Sequence, residues 1–171
     1  LREGIALGGD GKTDWSREIV KDATIEDLDP EAINKAREKY IEKHPEKKYD
    51  VPTWTDRQFL NNAKLTLKDK ITNAAIVLRG KEESGSLLTP SIPAIKWILK
   101  DRDGIERDYE IFHCPLILSI DKAAGKIRNL KYRYINPIHQ SLFPDEVDTY
   151  EPYVIREALH NAVAHQDYTI S

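Results

Sequence analysis

The sequence predicts a small mixed domain of the α/β or α+β class, built from several helices, one β-hairpin and a docked C-terminal helix. Two patterns predict this class. Apolar residues recur at helical spacing behind capping residues in several stretches, and one stretch alternates apolar and polar residues on both sides of a turn. Hydrophobic residues make up 40% of the 171 residues, which is enough apolar surface for a core of ordinary size.

Residues 1–28 have the composition of an irregular segment. Gly11, Lys12 and Thr13 match the end of a phosphate-binding loop pattern, but the glycine that should open the pattern is replaced by Ala6. No buried strand precedes the stretch and no long apolar helix follows it. We therefore interpret it as a turn.

The first helix begins at Asp29 and Pro30, because Asp is a good N-cap and Pro suits the first turn. Glu31 and Lys35 are spaced for an i,i+4 ion pair, and the helix should end near His44. Four residues form its apolar stripe: Ile33, Ala36, Tyr40 and Ile41.

Two further short helices are expected. Thr55 and Gln58 form a capping box before a helix over 56–63, and Trp54 and Phe59 are spaced for a hydrophobic staple. After a turn at LKDK, Thr72 and the glycine at position 80 favour a helix, although a buried strand over 75–78 is the alternative.

Patterns in the second half of the sequence predict a hairpin, then a helix, a strand and a last helix. Alternation around DRDG indicates the hairpin, with these apolar positions: Ile95, Trp97, Leu99, Ile105, Tyr109 and Ile111. A helix follows Pro115, LKYRYI is typical of a strand, and Glu151 and Pro152 open the last helix. We divide the chain into an irregular segment (1–28), a mixed domain (29–148) and a further piece (149–171).

The last helix carries the stretch REALHNAVAHQDY. At 100° per residue, one face has an apolar set consisting of Ile155, Leu159 and Ala162, and the opposite face has Glu157, Asn161 and His165. Tyr168 would lie near the polar set if the helix extended that far. The ordinary explanation of this polar set is a face exposed to solvent. However, Asn is unfavourable in a helix interior, and small alanines flank it, so a binding site is an alternative explanation.

Other chemistry has less support. Two E-x-x-H steps, Glu110 to His113 and Glu157 to His160, suggest a metal site, but a strand would place the first pair on opposite faces. The one cysteine, Cys114, excludes a disulfide framework and suits a buried small hydrophobe. The sequence also has a basic run, which we interpret as an ordinary charged surface in preference to a site of phosphate contacts: Lys122, Lys126, Arg128, Lys131 and Arg133.

The net charge of −3, the lack of a membrane-length apolar run and the lack of a leader predict a cytoplasmic protein with no membrane partner.

REALHNAVAHQDY resembles the motif E-[AL]-x-x-N-A-[IV]-x-H-[RQ]-D-Y of bacterial and archaeal proteins that join a Schlafen/AlbA-type DNA-binding domain to a degenerate GHKL-type ATP-binding domain. Such proteins are labelled transcriptional regulators or relatives of the RecG helicase. Other stretches agree with the resemblance, including DWSREI, WILKD and KIRNLKYRY, and it covers nearly the whole chain.

The resemblance implies roles for individual residues. Glu157 matches the general base that prepares the attacking water, and Asn161 matches the ligand of the Mg²⁺ that bridges the phosphates of ATP. Three more residues match the motif of this nucleotide site without a definite chemical role: His165, Asp167 and Tyr168. Gln166 departs from the commoner Arg, which puts any phosphate contact of that residue in doubt.

The resemblance also implies an incomplete site. The chain starts at Leu1 without a Met, and LREG resembles the last strand of an AlbA-type domain whose body is absent. Residues 29–148 would then be a connecting domain, and residues 149–171 the start of a truncated GHKL-like ATP-binding domain. Ser171 precedes the nucleotide-sensing loop and lid that a GHKL site requires. We therefore expect a connecting region from a longer parent that binds DNA and Mg-ATP and regulates transcription. The piece itself should need no cofactor and hydrolyse no ATP, and dimer contacts in a homo-oligomer are a further expectation.

Two alternatives remain. Residues 55–80 could form a helix-turn-helix-like unit that binds DNA, although the second helix is apolar and the cations Lys64, Lys68, Lys70 and Arg79 are few for a DNA footprint. The other alternative is a purely structural or oligomerisation module.

Overall fold

The protein belongs to the α+β class, as the sequence predicts. A computed structural model describes residues 14–90, 92–127, 131–134 and 144–170. Within these residues the helices are α1 (Pro30–Lys43), α2 (Asp56–Asn62), α3 (Asn73–Arg79), α4 (Leu116–Lys126) and α5 (Pro152–His165). The strands are β1 (Thr66–Leu67), β2 (Lys70–Ile71), β3 (Ala94–Lys100), β4 (Glu106–His113), β5 (Lys131–Tyr134) and β6 (Asp145–Asp148), paired consecutively in three antiparallel sheets.

Helix α1 begins as predicted, with the Asp29 carboxylate accepting a hydrogen bond from the Ala32 N–H at 2.9 Å. The predicted ion pair between Glu31 and Lys35 is wrong, because the Lys35 ammonium contacts Asp121 of α4 instead. Packing of α1 on α4 brings these two groups together in a partly buried position. A surface i,i+4 pair contributes only about 0.2–0.5 kcal/mol, so the tertiary partner prevails.

Helix α2 has the predicted capping box, in which the Thr55 N–H donates to Gln58 Oε1 at 2.9 Å and the Gln58 N–H donates to Thr55 Oγ1 at 3.3 Å. The helix ends in a Schellman motif: Lys64 adopts a φ of 56°, and the Leu65 N–H bonds to the Leu60 carbonyl at 2.8 Å. Lysine therefore occupies a left-handed position that usually favours glycine.

The LKDK stretch is the turn between β1 and β2, with Lys68 and Asp69 both at positive φ. Helix α3 follows, capped by Thr72 as predicted, so the helix interpretation of this stretch is confirmed and the strand alternative is wrong. A side chain at position 80 would lie 2.7 Å from the Ile76 carbonyl oxygen, which explains why glycine ends the helix.

Most of α3 lies in the core. Five of its seven residues are buried: Asn73, Ala75, Ile76, Val77 and Arg79. A recognition helix has to present its side chains to a DNA groove, and this packing leaves α3 little surface with which to do so.

The core is continuous across the predicted division at residue 28. Val20 and Leu28 belong to the same buried cluster as Phe59, Ile76 and Leu116. The β3–β4 hairpin has Trp97 opposite Glu110 and packs against α4. In the described part of the chain, no helix has the length and apolar composition needed to cross a bilayer.

Candidate functional site at the C-terminal helix

Helix α5 docks on α4 through an apolar stripe. Ile155 and Leu159 are half-buried as predicted, but Ala162 is exposed, and Val163 packs against the core in its place. The i,i+4 spacing from Ile155 through Leu159 leads to Val163, which explains the difference. Asp121 of α4 approaches Arg156 at 3.5 Å and supports the docking.

The opposite face of α5 carries the predicted polar set in the expected register. Glu157, Asn161 and His165 follow one another at intervals of one helical turn, and all three are exposed. None of these side chains hydrogen bonds or pairs with another described residue. The docked stripe therefore leaves a carboxylate and an amide open to a ligand or to further protein structure.

Tyr168 does not join this polar face. The helix ends at His165, and the Gln166 backbone is extended, so the chain turns back toward the core. The Tyr168 ring stacks on Trp15 at 5.2 Å between centroids, and its hydroxyl donates to the Val163 carbonyl at 2.8 Å. Burial raises the pKa of Tyr168 to about 12.

Asp167 holds the turn that brings Tyr168 back. Its carboxylate accepts hydrogen bonds from the Thr169 N–H at 2.9 Å and the Thr169 hydroxyl at 2.6 Å. His160 Nδ1 lies 2.8 Å from the Arg156 carbonyl oxygen, within its own helix. Both residues therefore have local structural contacts: Asp167 stabilises the turn after α5, and His160 contacts the backbone of its own helix.

Two cavities flank Tyr168, with volumes of about 490 and 630 Å³. Gln166, Asp167 and Tyr168 line both of them, whereas Glu157 and Asn161 line neither. The motif is therefore divided in space: Glu157 and Asn161 face outward, whereas Tyr168 packs against the core and lies between the two cavities.

The exposed face of α5 has oxygen atoms of the kind that bind the magnesium ion of a magnesium nucleotide. Asn161 and Glu157 supply an amide oxygen and a carboxylate on one face of α5. Mg²⁺ commonly takes one or two protein oxygens and completes its shell with water and substrate phosphates. Among the residues that the structure describes, no group of three or more His, Cys, Asp or Glu side chains lies close enough to hold a metal ion by itself.

The other candidate residues have structural environments. Glu110 forms an ion pair with Lys126, and its partner in the E-x-x-H step, His113, lies on the other face of β4. Cys114 is buried as predicted, and burial raises the pKa of its thiol to about 11. Arg133 of the basic run pairs with Glu146 at 2.7 Å, and residue 128 lies outside the described residues.

The sequence did not indicate a basic cavity beside α3. Among the described residues, four cations line it: Arg17, Lys64, Lys68 and Arg79. From the sequence, Lys64, Lys68 and Arg79 are only the cations of a sparse DNA footprint, and Arg17 lies in a segment predicted to be irregular. Only the folded chain brings the four together.

Comparison with known proteins identifies the family but gives no function. Neither a curated protein nor a solved structure matches the chain. A family model described as a domain of unknown function, DUF8451, matches residues 6–94, which contain α1 to α3 and the basic cavity, but not α5. This span is just over half of the 171 residues. The chain therefore belongs to the DUF8451 family of domains of unknown function.

Proposed function

We propose that this chain connects the DNA-binding and ATP-binding halves of a longer transcriptional regulator related to the RecG helicase. In this proposal, α5 contributes one wall of a magnesium-nucleotide site, and the rest of the site comes from the parent protein. The other described elements form the folded support on which α5 docks.

The observation that carries the proposal is the geometry of α5. Glu157 and Asn161 lie one turn apart on its exposed face, while Ile155 and Leu159 are half-buried on the opposite face and Val163 packs against the core. Docking of the helix fixes the backbone positions of these two residues, which a nucleotide site requires of the groups that bind its ligand.

The two side chains have different tasks in the proposal. The Asn161 amide oxygen binds the Mg²⁺ that accompanies the nucleotide, which neutralises phosphate charge. The Glu157 carboxylate accepts the proton of the water that attacks the terminal phosphorus. An exposed carboxylate alone is a weak base for this step, so hydrolysis requires the parent protein to cover the site.

Equilibrium binding of Mg-ATP to the parent protein tests the proposal. Asn161→Ala should weaken binding at least about tenfold, the amount that corresponds to one lost interaction with a charged partner. Asn34→Ala is the matched control, because Asn34 is likewise exposed inside a helix, α1, that lies away from the motif. Equal affinities for the two variants would contradict the role of Asn161.

An oligomerisation module is the second candidate function, favoured by the outer face of the β3–β4 hairpin. Tyr109 and Ile111 share this face and are 63% and 44% exposed. Analytical ultracentrifugation tests it: a concentration-dependent dimer that Tyr109→Glu disrupts supports this candidate, and a monomer at all concentrations contradicts it.

A further inference from the structure

A basic cavity lies between the segment before α1, the α2–β2 region and α3. Its volume is about 550 Å³, and four cations among the described residues line it: Arg17, Lys64, Lys68 and Arg79. Cavities of this size suit small ligands. The cavity contains no residue of α5 and is therefore separate from the face that carries Glu157 and Asn161.

Arg79 is the unusual member of the cavity lining. It is 8% exposed, and its Nε is buried without a hydrogen-bond partner. Within the described parts of the chain, no carboxylate pairs with its guanidinium. Burial lowers the pKa of Arg79 to about 10, so the side chain still carries its charge at neutral pH.

Arg37 shows how this fold treats another partly buried arginine. Its guanidinium donates to the carbonyl oxygens of Val51 and Trp54 at 3.0 Å each and pairs with Asp56 at 2.7 Å. Buried charged groups are normally satisfied in this way, because an unpaired one costs folding free energy. Arg79 lacks such partners, which points to a ligand that supplies them.

The remaining groups of the cavity leave it with an excess of positive charge. Lys64 and Lys68 form no ion pair with a described residue. Among the described residues that line the cavity, Asp14 is the one acidic residue, and its carboxylate already accepts hydrogen bonds from the Ser16 N–H at 3.1 Å and the Ser16 hydroxyl at 2.8 Å. The Asp69 side chain, on the β1–β2 turn, is engaged by Asn61.

We propose that this cavity binds the phosphate group of a small phosphorylated molecule, with the buried guanidinium of Arg79 as the central contact and Arg17, Lys64 and Lys68 around it. Arginine offers several N–H donors to phosphate oxygens, and partial burial strengthens these charged hydrogen bonds. The proposal does not depend on a nucleotide site at α5.

Calorimetric titration with inorganic pyrophosphate at low ionic strength tests the proposal. Arg79→Met keeps the bulk of the side chain and removes the charge, and it should weaken binding at least about tenfold. Lys68→Gly is compatible with the positive φ at that position and should weaken binding about threefold. Lys39→Ala removes one charge from α1, where Lys39 pairs with Glu42 at 2.7 Å, and should leave binding unchanged.

The outcomes separate the possibilities. Weaker pyrophosphate binding in Arg79→Met and Lys68→Gly but not in Lys39→Ala supports the site. If Arg79→Met does not fold, weaker binding in Lys68→Gly and Arg17→Ala supports the site, and unchanged binding in both overturns it. No binding of pyrophosphate by the wild type, or equal losses in all variants including Lys39→Ala, overturns it. Binding of short duplex DNA through these residues without pyrophosphate binding also overturns it. Asn161→Ala should have no effect, so failure here is distinguishable from failure of the ATP proposal.

Discussion

The Tyr168 ring stacks on Trp15 with 5.2 Å between centroids and 17° between ring planes. The two residues are separated by almost the whole chain, and their contact joins the segment after α5 to the segment before α1. Both residues are partly buried and pack against the core cluster, so the end of the motif is anchored on the core. The contact gives Tyr168 a structural role whether or not a nucleotide binds nearby.

Removing this contact should destabilise the fold in two measurable steps. Tyr168→Phe loses only the hydrogen bond to the Val163 carbonyl and should lower the free energy of unfolding by about 1 kcal/mol. Tyr168→Ala also loses the stack and should cost more. In urea melts, a double-mutant cycle with Trp15→Ala should give a coupling of about 0.5–1.5 kcal/mol. A coupling near zero would show that the stack contributes nothing.

The protein should be less stable with lysine at position 64 than with glycine there. Its φ of 56° places a side chain in the left-handed region, at the position of the Schellman motif where glycine is preferred. Lys64→Gly should raise the free energy of unfolding by about 0.5–1 kcal/mol in chemical denaturation. Lys70→Gly in β2 is the control and should lower it by a similar amount. Destabilisation by both substitutions would contradict the explanation.

Stability should fall in alkaline solution. Burial raises the pKa of the Cys114 thiol from its ordinary value of 9.0 to about 11. Between these values the folded chain binds more protons than the unfolded chain, so the free energy of unfolding falls as pH rises. The slope approaches about 1.4 kcal/mol per pH unit. Below pH 9 this contribution is fully present and constant.

Cys114→Ala isolates the thiol. In urea melts between pH 9 and 10, the free energy of unfolding of the variant should fall less steeply with pH than that of the wild type. Tyr168 begins to contribute only above its ordinary value of 10.0, and Arg79, whose pKa burial lowers to about 10, contributes with the opposite sign in both proteins. Identical slopes in wild type and variant would assign the alkaline loss to other groups.

Local signals in the sequence predicted the helix starts well. Asp29, Thr55 and Thr72 cap α1, α2 and α3 as expected, because a capping side chain bonds to backbone only three residues away. The hairpin was also predicted, since its alternation and its turn are contiguous. The placement of Glu157 and Asn161 on one open face followed from helical periodicity alone.

Features that depend on distant contacts were not predictable in the same way. The partner of Lys35 is Asp121, 86 positions away, and nothing local to either residue indicates it. Strand β6 consists of acidic residues and Val147, which carry little strand signal without their partner β5. Arginine usually lies at the surface, so neither the burial of Arg79 nor the cavity beside it could be anticipated.

Binding of Mn²⁺-ATP, followed by NMR on the isotope-labelled parent protein, tests the central claim most directly, because the paramagnetic ion broadens signals of nearby residues. The proposal predicts broadening of amide signals on the exposed face of α5, around Glu157, Asn161 and His165, and loss of this broadening in Asn161→Ala. Broadening confined to the residues around Lys64, Lys68 and Arg79 would contradict it, since ATP would then occupy the basic cavity and α5 would not be part of its site.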